Sequence, residues 1–518
     1  MEHREVLPFA GTGTVLLAVS LTLAACLGPA AGDSASESIP TAARTSSPLL
    51  AASPTIAAPV DLSTPAKADD TETLAPTASQ TPLLTSTPLP TGTPLPTAQP
   101  RGQPTLGYFD SFLLLTATPA TPVPTPSARI QLEEGVVNVL LLGTDQEVSN
   151  SFRTDTIIVL SINKHTGSVS MLSIPRDLYV YVPQWKMQRI NTADNHGRSV
   201  NYPGGGPALL GQTLLYNFGI PIHYYARINF DGFMKVVDTL GGIDVPVSCQ
   251  LDDYILKDPA LDPDLAENWE AYTVPVGIQH MDGPNALLYA RLRQSYKVYN
   301  YDLPRIGRNV DDFDRSRRQQ QVLRAIYHKA LSLDIVPRIP ALFGEFSSII
   351  ETDMNLGDVL QFAPLAAQLG DINIKSRFIS QWYTTPWQTP EGESVRLPNP
   401  ERLPFLLSDT FFAPSTNQLE RAGQKIEVIN GTANPNWEIL AVDRLTWAGF
   451  NAVAGQADGT QYEKTTLIDY TTSAKGSALN GLRQELKLRG SQVVAQPDAS
   501  SPVHFRLDLG RDYDTCGS

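Results

Sequence analysis

The sequence predicts an α/β protein in which a central sheet is covered by helices, a smaller α/β domain follows, and a long unstructured tether precedes both. Three observations carry this expectation. Aliphatic and β-branched runs alternate with helical patterns from Val136 onward, the alternation starts afresh after Lys425, and 18 of the 42 prolines fall between residues 27 and 128. A chain of 518 residues is also too long for one compact unit at roughly 100 to 200 residues per domain.

The amino terminus opens the series. Residues 11 to 25, GTGTVLLAVSLTLAA, are uncharged and end in Leu23-Ala24-Ala25-Cys26. The run suits a secretory signal better than a full membrane span of about 20 residues. Leu-Ala-Ala-Cys resembles a bacterial lipobox, so residues 1–26 are expected to be a signal peptide with a lipid on Cys26; an uncleaved membrane anchor is the alternative. Either arrangement predicts residues 27–518 on the extracytoplasmic face of the cell membrane. Residues 27–128 carry only Arg44, Lys67 and Arg101 as basic groups, among stretches such as TPLPTGTPLPT. Such a composition lacks the apolar surface to offset chain entropy and favours extended polyproline II, which predicts a disordered linker.

The central domain is expected over 130–385. VVNVLLLG, TIIVLSIN and SVSMLSIP read as strands, the second and third joined by Lys164-His165-Thr166-Gly167 and therefore antiparallel neighbours. Helical patterns occupy 207–218, 230–240, 283–292 and 315–332, with strands near 222–229 and 243–248.

Charge gathers at the ends of these elements. Asp145 follows the first strand and Arg153-Thr154-Asp155 opens the second, so adjacent strands would set both carboxylates at one sheet end. Paired carboxylates suit a hard cation, Mg²⁺ or Mn²⁺, which keeps waters and substrate oxygens as further ligands. Arg176-Asp177 ends the third strand. Between 286 and 326, eight Arg and one Lys face four Asp, a local positive excess in a chain whose balance is 39 basic against 53 acidic residues. Arg315 and Arg318 are spaced for one helix face. Guanidinium forks converging on a cleft match the oxygens of a diphosphate. His165, the other candidate base, falls in a turn and reads as exposed.

The blocks LLGTD, RTDTIIVLSIN, LSIPRD, RIN, VDTLGGIDV, GPNALLYARLR and DFDRSRRQQQVL, in this order over about 136–385, resemble the catalytic domain of the LytR-CpsA-Psr family. The resemblance implies an α-β-α sandwich with a mixed sheet that binds a polyprenyl-pyrophosphate-linked saccharide, its isoprenoid tail in an apolar channel. The implied activity is phosphotransfer of a glycopolymer onto a peptidoglycan acceptor, forming a phosphodiester and releasing polyprenyl phosphate. By the same resemblance Asp145 and Asp155 are metal-associated. Arg153, Arg176, Arg189, Arg291, Arg293, Arg315, Arg318 and Gln319 contact pyrophosphate, Asp177 orients Arg176, and Asp312 fixes the arginines. Asp155 and Asp177 are both candidates for deprotonating the acceptor, and Asp155, Arg176 and Asp177 form the expected catalytic set. The chain departs from the pattern at Glu147, where many relatives have Arg, and in a long stretch from Gln294 to Asp311.

Residues 386–424 are Pro-rich and read as a linker with one short helix. From 425 to 514 a strand, helix, strand, helix, strand pattern predicts the second domain, with VINGT, LTWAGF and LGRDY resembling a LytR-type carboxy-terminal domain. It holds no cluster of catalytic residue types. Net charge of −14 and three cysteines, Cys26, Cys249 and Cys516, argue against nucleic-acid binding, a disulfide scaffold and Cys-rich metal sites, and leave room for one cross-link. Two other functions fit the same residues: a non-catalytic polyprenyl-phosphate-binding envelope regulator, and a lipid-carrier pyrophosphatase.

Overall fold

The computed structural model describes residues 123–145, 152–258, 260–262, 265–292, 297–298, 301–302, 312–333, 339–457, 459–471 and 477–516. The expected signal segment with Cys26, nearly all of the tether, Glu147 and Arg293 lie outside the described residues.

Strands β1 (Val136–Thr144), β2 (Thr154–Asn163) and β3 (Ser168–Ser173) are consecutive antiparallel neighbours. The β2–β3 turn is closed by the Asn163 side chain, which accepts the backbone N–H groups of His165 and Thr166, with Gly167 at φ +63°. A small hairpin, β4 (Tyr179–Tyr181) with β5 (Met187–Arg189), leads into helices α1 (Ala193–Ser199) and α2 (Gly205–Phe218). Strand β6 (Tyr224–Asn229) then returns parallel to β1. Helix α3 (Phe230–Thr239) starts at Asn229, whose side chain accepts the Gly232 N–H. Next come β7 (Ile243–Val247), the pair β8 (Leu251–Leu256) and β9 (Trp269–Val274), and β10 (Gly277–Met281), which pairs with β7. Helix α4 (Gly283–Arg291) is capped by Asp282, which accepts from Asn285 N. After the short pair β11 (Lys297–Val298) and β12 (Tyr301–Asp302), the long helix α5 (Asp312–Ser332) runs back across the sheet.

Helix α6 (Ile339–Phe346), strand β13 (Ile350–Thr352), helices α7 (Leu356–Leu360) and α8 (Ala363–Ala366), and strand β14 (Ile374–Phe378) complete the frame. The sheet order is β13-β6-β1-β2-β3-β14, a mixed sheet. Its central strands are buried on both faces, which is why they read as continuous apolar runs rather than alternating ones. Val137, Val139, Leu141, Ile158 and Leu160 face the core that includes α5. Leu140, Leu142, Ile157 and Val159 face the core that includes α2. The central domain is therefore an α-β-α sandwich.

Two boundaries differ from expectation. The tether does not run free to residue 128, because its last residues dock on the last turn of α2. Ser127 Oγ donates to the Asn217 carbonyl and the Tyr216 hydroxyl to the Pro124 carbonyl, each at 2.6 Å. Residues 386–424 are structured as well. The hairpin β15 (Thr384–Gln388) and β16 (Ser394–Pro398) is followed by helices α9 (Leu403–Phe411) and α10 (Thr416–Gly423). Leu403, Leu406 and Phe411 are buried in the second core of the sandwich. The prolines that suggested a linker occupy positions that tolerate them, in a two-stranded ribbon and in the first turn of α9.

The carboxy-terminal domain comprises β17 (Lys425–Asn430), α11 (Trp437–Trp447), β18 (Asn451–Ala454), β19 (Thr466–Asp469), α12 (Ser477–Glu485), β20 (Val493–Ala495) and β21 (Phe505–Leu509). Its sheet order is β18-β17-β21-β19-β20, around its own apolar core. Both edge strands were absent from the sequence reading, being short and largely exposed. A disulfide joins Cys249, just after β7, to Cys516 near the carboxy terminus.

Candidate active site

The site forms where β1 ends and β2 begins. The Asp145 N–H donates to the Arg153 carbonyl at 3.2 Å, and the Arg153 N–H donates to Asp145 Oδ1 at 2.6 Å. This double tie brings Asp145 and Asp155 to the same sheet end, as the strand pattern predicted. Arg176, just beyond β3 on the other flank of β2, directs Nη1 to both oxygens of Asp155 at 2.9 Å. Their side chains keep 22% and 26% exposure. A screened pair of this kind is worth about 1 kcal/mol or less, so a phosphate can take over the guanidinium at small cost.

Behind Asp155, a buried group holds the strand end. Thr154 donates its hydroxyl to Asp194 Oδ2 at 2.8 Å, while Arg227 Nη1 donates to Asp194 Oδ1 at 2.7 Å. Burial raises the Asp194 carboxyl above its ordinary range, and the charge of Arg227 and the Thr154 hydroxyl oppose that rise. Gly206 is required here, since a Cβ on it would stand 2.0 Å from Asp194 Oδ1. Neither Asp194 nor Arg227 was expected; Asp194 lies three residues after RIN and Arg227 within YARIN, and their charges carry no periodic signal.

The cleft continues as a cavity of about 1080 Å³ between the sheet and helices α3, α4 and α5. Asp145, Arg153, Asp155, Arg176, Arg291 and Arg315 line it together with Gln319. Its remaining walls are mostly apolar, including Ile158, Ile228, Phe233, Leu288 and Leu323. Arg291 stands at the end of α4 with its guanidinium 4.3 Å from the Phe230 ring centroid. Gln320, fully buried on the neighbouring turn position, ties α5 to the sheet by donating to Ser173 Oγ at 2.8 Å and the Arg377 carbonyl at 3.1 Å.

Three expected site residues stand elsewhere. Arg318 is buried and donates to the carbonyls of Tyr289 and Leu292. It caps the open carbonyls at the end of α4, because three helical positions rotate it about 60° away from Arg315. Asp177 does not orient Arg176; its Oδ2 lies 3.5 Å from Arg396 Nε, on the ribbon formed by 384–398. Arg189 likewise donates Nη2 to the Ser394 carbonyl at 3.0 Å and is absent from the cavity wall. In all three cases the partner lies on a segment whose approach only the tertiary fold fixes. His165 is exposed in the β2–β3 turn, at the opposite end of β2 from Asp155. Eight strand steps at about 3.4 Å each separate those ends, which removes it as a base.

Two carboxylates at the mouth fit a hard divalent cation that takes its other ligands from phosphate oxygens and water. Among the described residues, no group of three or more His, Cys, Asp or Glu forms a complete protein cage for a metal.

The family model for the LytR_cpsA_psr family matches residues 116–382, just over half of the chain. The chain belongs to the LytR_cpsA_psr family. The match spans the sheet, the carboxylate pair and every cavity-lining arginine. Among similar proteins, the polyisoprenyl-teichoic acid–peptidoglycan teichoic acid transferase TagU of Oceanobacillus iheyensis is 32% identical over 233 residues, 45% of this chain and 63% of the relative. The regulatory protein MsrR of Staphylococcus aureus is 28% identical over 243 residues, 47% of this chain and 64% of the relative. The chain thus spans a little under two thirds of the length of these curated relatives. Among solved structures, B. subtilis TagV matches with a TM-score of 0.41 at 23% identity, covering 55% of this chain and 100% of that one. The LytR-CPS2A-psr family protein YwtF (TagT) with bound octaprenyl pyrophosphate matches with a TM-score of 0.37 at 22% identity, over 55% and 96%.

Proposed function

We propose that this LytR_cpsA_psr family member is an extracytoplasmic phosphotransferase that moves a glycopolymer from a polyprenyl-pyrophosphate carrier onto peptidoglycan. The single observation that carries the reading is the union of an apolar cavity with a mouth of four arginines and two carboxylates. A diphosphate needs the cations and a prenyl tail needs the slot; few other ligands need both.

In the reaction a hydroxyl of the acceptor glycan attacks the sugar-proximal phosphorus. A new phosphodiester bond forms, the anhydride P–O bond breaks, and polyprenyl phosphate leaves. Arg153, Arg176, Arg291 and Arg315 hold the phosphate oxygens and neutralise charge that grows on the leaving group, which is where preorganised donors act most strongly. Asp155, once Arg176 turns to phosphate, takes the acceptor proton on a carboxylate oxygen. Asp145 and Asp155 would hold Mg²⁺ or Mn²⁺, which supplies further neutralisation of the diphosphate when bound. An export signal with lipid on Cys26, or an uncleaved anchor, would keep the enzyme at the membrane where its carrier resides, and the tether would give the domain reach into the wall.

The test is turnover of a polyprenyl-pyrophosphate-linked saccharide by the full chain, with and without a peptidoglycan fragment and with Mg²⁺ or a chelator. Release of polyprenyl phosphate that requires both acceptor and metal, with the saccharide recovered on the glycan, is the expected result. Equal release without acceptor would make the protein a lipid-carrier pyrophosphatase. Tight binding without any release would make it a polyprenyl-phosphate-binding regulator.

A further inference from the structure

The two faces of α5 do different things. Arg315, Gln319, Val322 and Leu323 line the cavity. Arg317 and Arg324, two positions out of phase and therefore about 200° around the helix, reach the carboxy-terminal domain. Their guanidinium carbons lie 5.1 and 5.0 Å from the ring centroid of Trp447, the last residue of α11. Phe378 of β14, the edge strand of the sheet, stacks on the same indole with centroids 6.0 Å apart and planes 7° from parallel. Trp447 Nε1 donates to Asp443 Oδ1 at 3.0 Å, one turn back on α11. Arg324 is buried at this junction and lies close enough to Asp443 for each charge to shift the other. One indole is thus clamped between α5, β14 and a buried carboxylate, each contributed by a different element.

A second connection reinforces the first. Cys516 is bonded to Cys249, two residues past the end of β7. That strand touches α5 through Gln321, whose Nε2 donates to the Pro246 carbonyl at 3.2 Å. Arg444 of α11 ties the terminal segment that carries Cys516 to the rest of its own domain by donating Nη1 to the Asp514 carbonyl at 3.1 Å. The carboxy-terminal domain is therefore fastened to the back of the helix that carries four cavity residues, directly at Trp447 and through β7 at the disulfide.

We propose that the carboxy-terminal domain is a brace for the cleft. Trp447 is a positioning residue that acts through α5 on Arg315 and Gln319, and the Cys249–Cys516 bond holds the brace in place. The function rests on the reading of the cleft as a prenyl pyrophosphate site. Cation–π and stacking contacts at a desolvated junction set the seat of a helix firmly, and a misplacement of about 1 Å at a reacting centre costs on the order of a hundredfold.

The experiment compares full-length wild type with Trp447→Ala, Trp447→Phe, Trp437→Ala and the Cys249→Ser/Cys516→Ser double variant. Two readouts are used: the Kd for geranyl pyrophosphate, and amide hydrogen exchange across residues 313–320. Trp437 packs on Tyr513 inside the domain, so its variant reports loss of domain stability alone. Trp447→Ala is expected to weaken geranyl pyrophosphate about tenfold and to speed exchange in 313–320. Trp447→Phe should restore both to within about threefold, and Trp437→Ala should leave both unchanged at temperatures where the protein is folded. The double serine variant should weaken binding about threefold or more. Wild-type Kd and exchange in Trp447→Ala would overturn the brace, as would equal effects from Trp437→Ala. If Trp447→Ala does not fold, the phenylalanine and double serine variants decide, and unchanged exchange in the latter overturns the proposal. If wild type does not bind geranyl pyrophosphate, the prenyl pyrophosphate reading fails by itself, while the exchange data still decide the brace.

Discussion

Arg176 turns one nitrogen, Nη1, to both oxygens of Asp155 at 2.9 Å, across the strand ends that frame the cavity mouth. An ion pair built on a single nitrogen satisfies the carboxylate in the resting site and can exchange it for a phosphate. The two residues therefore act as a unit, and their effects are expected not to add. Arg176→Ala should lower kcat/KM for polyprenyl phosphate release by about 10² to 10³, the usual effect of deleting one preorganised donor. Adding Asp155→Asn to it should cost less than Asp155→Asn does in wild type. Fully additive losses would show that the pair is structural decoration.

Arg315 and Arg318 separate binding from folding, although the sequence places them as equals. Arg315 lines the cavity, whereas Arg318 is spent on the carbonyls of Tyr289 and Leu292. Arg318→Met leaves buried carbonyls without their charged donor and should reduce unfolding free energy by roughly 2 to 4 kcal/mol, with the Kd for geranyl pyrophosphate of the folded fraction unchanged. Arg315→Met should weaken that ligand about tenfold or more, the equivalent of one charge-assisted hydrogen bond. Denaturant titration and ligand titration of both variants check the division.

The contrast also shows what a sequence makes legible. The strands β1 to β3 are apolar on both faces, so their existence and adjacency follow from local pattern, and with them the meeting of Asp145 and Asp155. Arg318 follows from no local pattern: its partners end another helix, and spacing of three residues does not say which of two neighbouring grooves a guanidinium enters. The same applies to Asp177 and Arg189, whose partners Arg396 and Ser394 belong to a ribbon hidden in a Pro-rich stretch. The buried Asp194 and the half-buried Arg227 form a pair separated by 33 residues, and the missing side chain at Gly206 leaves room for the carboxylate. Local order fixes the strand ends; long-range pairing decides which charges face the cavity.

His223 gives the central sheet a pH dependence. Burial pushes its pKa down from 6.5 to about 4, and the charge of Arg129 adds to the shift. Its Nδ1 accepts the Asn138 backbone N–H at 2.9 Å, a bond that the neutral ring alone makes. Between pH 4 and 6.5 the unfolded chain holds a proton at this ring that the folded chain lacks, so stability rises with pH across that window. The contribution is complete above 6.5 and lost as pH falls toward 4. A shift of this size corresponds to roughly 3 kcal/mol. Urea unfolding at closely spaced pH values should show that slope in wild type and a shallower one in His223→Gln; identical slopes would assign it to other groups.

The cavity predicts how affinity grows with lipid length. Its walls are mostly aliphatic and aromatic, and it encloses about 1080 Å³, so each buried methylene should add about 0.8 kcal/mol until the space is filled. Lengthening the ligand from geranyl to farnesyl pyrophosphate is expected to tighten binding at least about tenfold, and much longer tails should gain little more. Ala226 lies on β6 in the wall, buried against the same core as Leu141 and Ile158. Ala226→Phe puts a ring where the tail would run. The variant should flatten the dependence on tail length and leave binding of inorganic pyrophosphate at the wild-type value, because the arginines at the mouth are untouched. Equal loss for inorganic pyrophosphate and farnesyl pyrophosphate would place the tail somewhere other than this cavity.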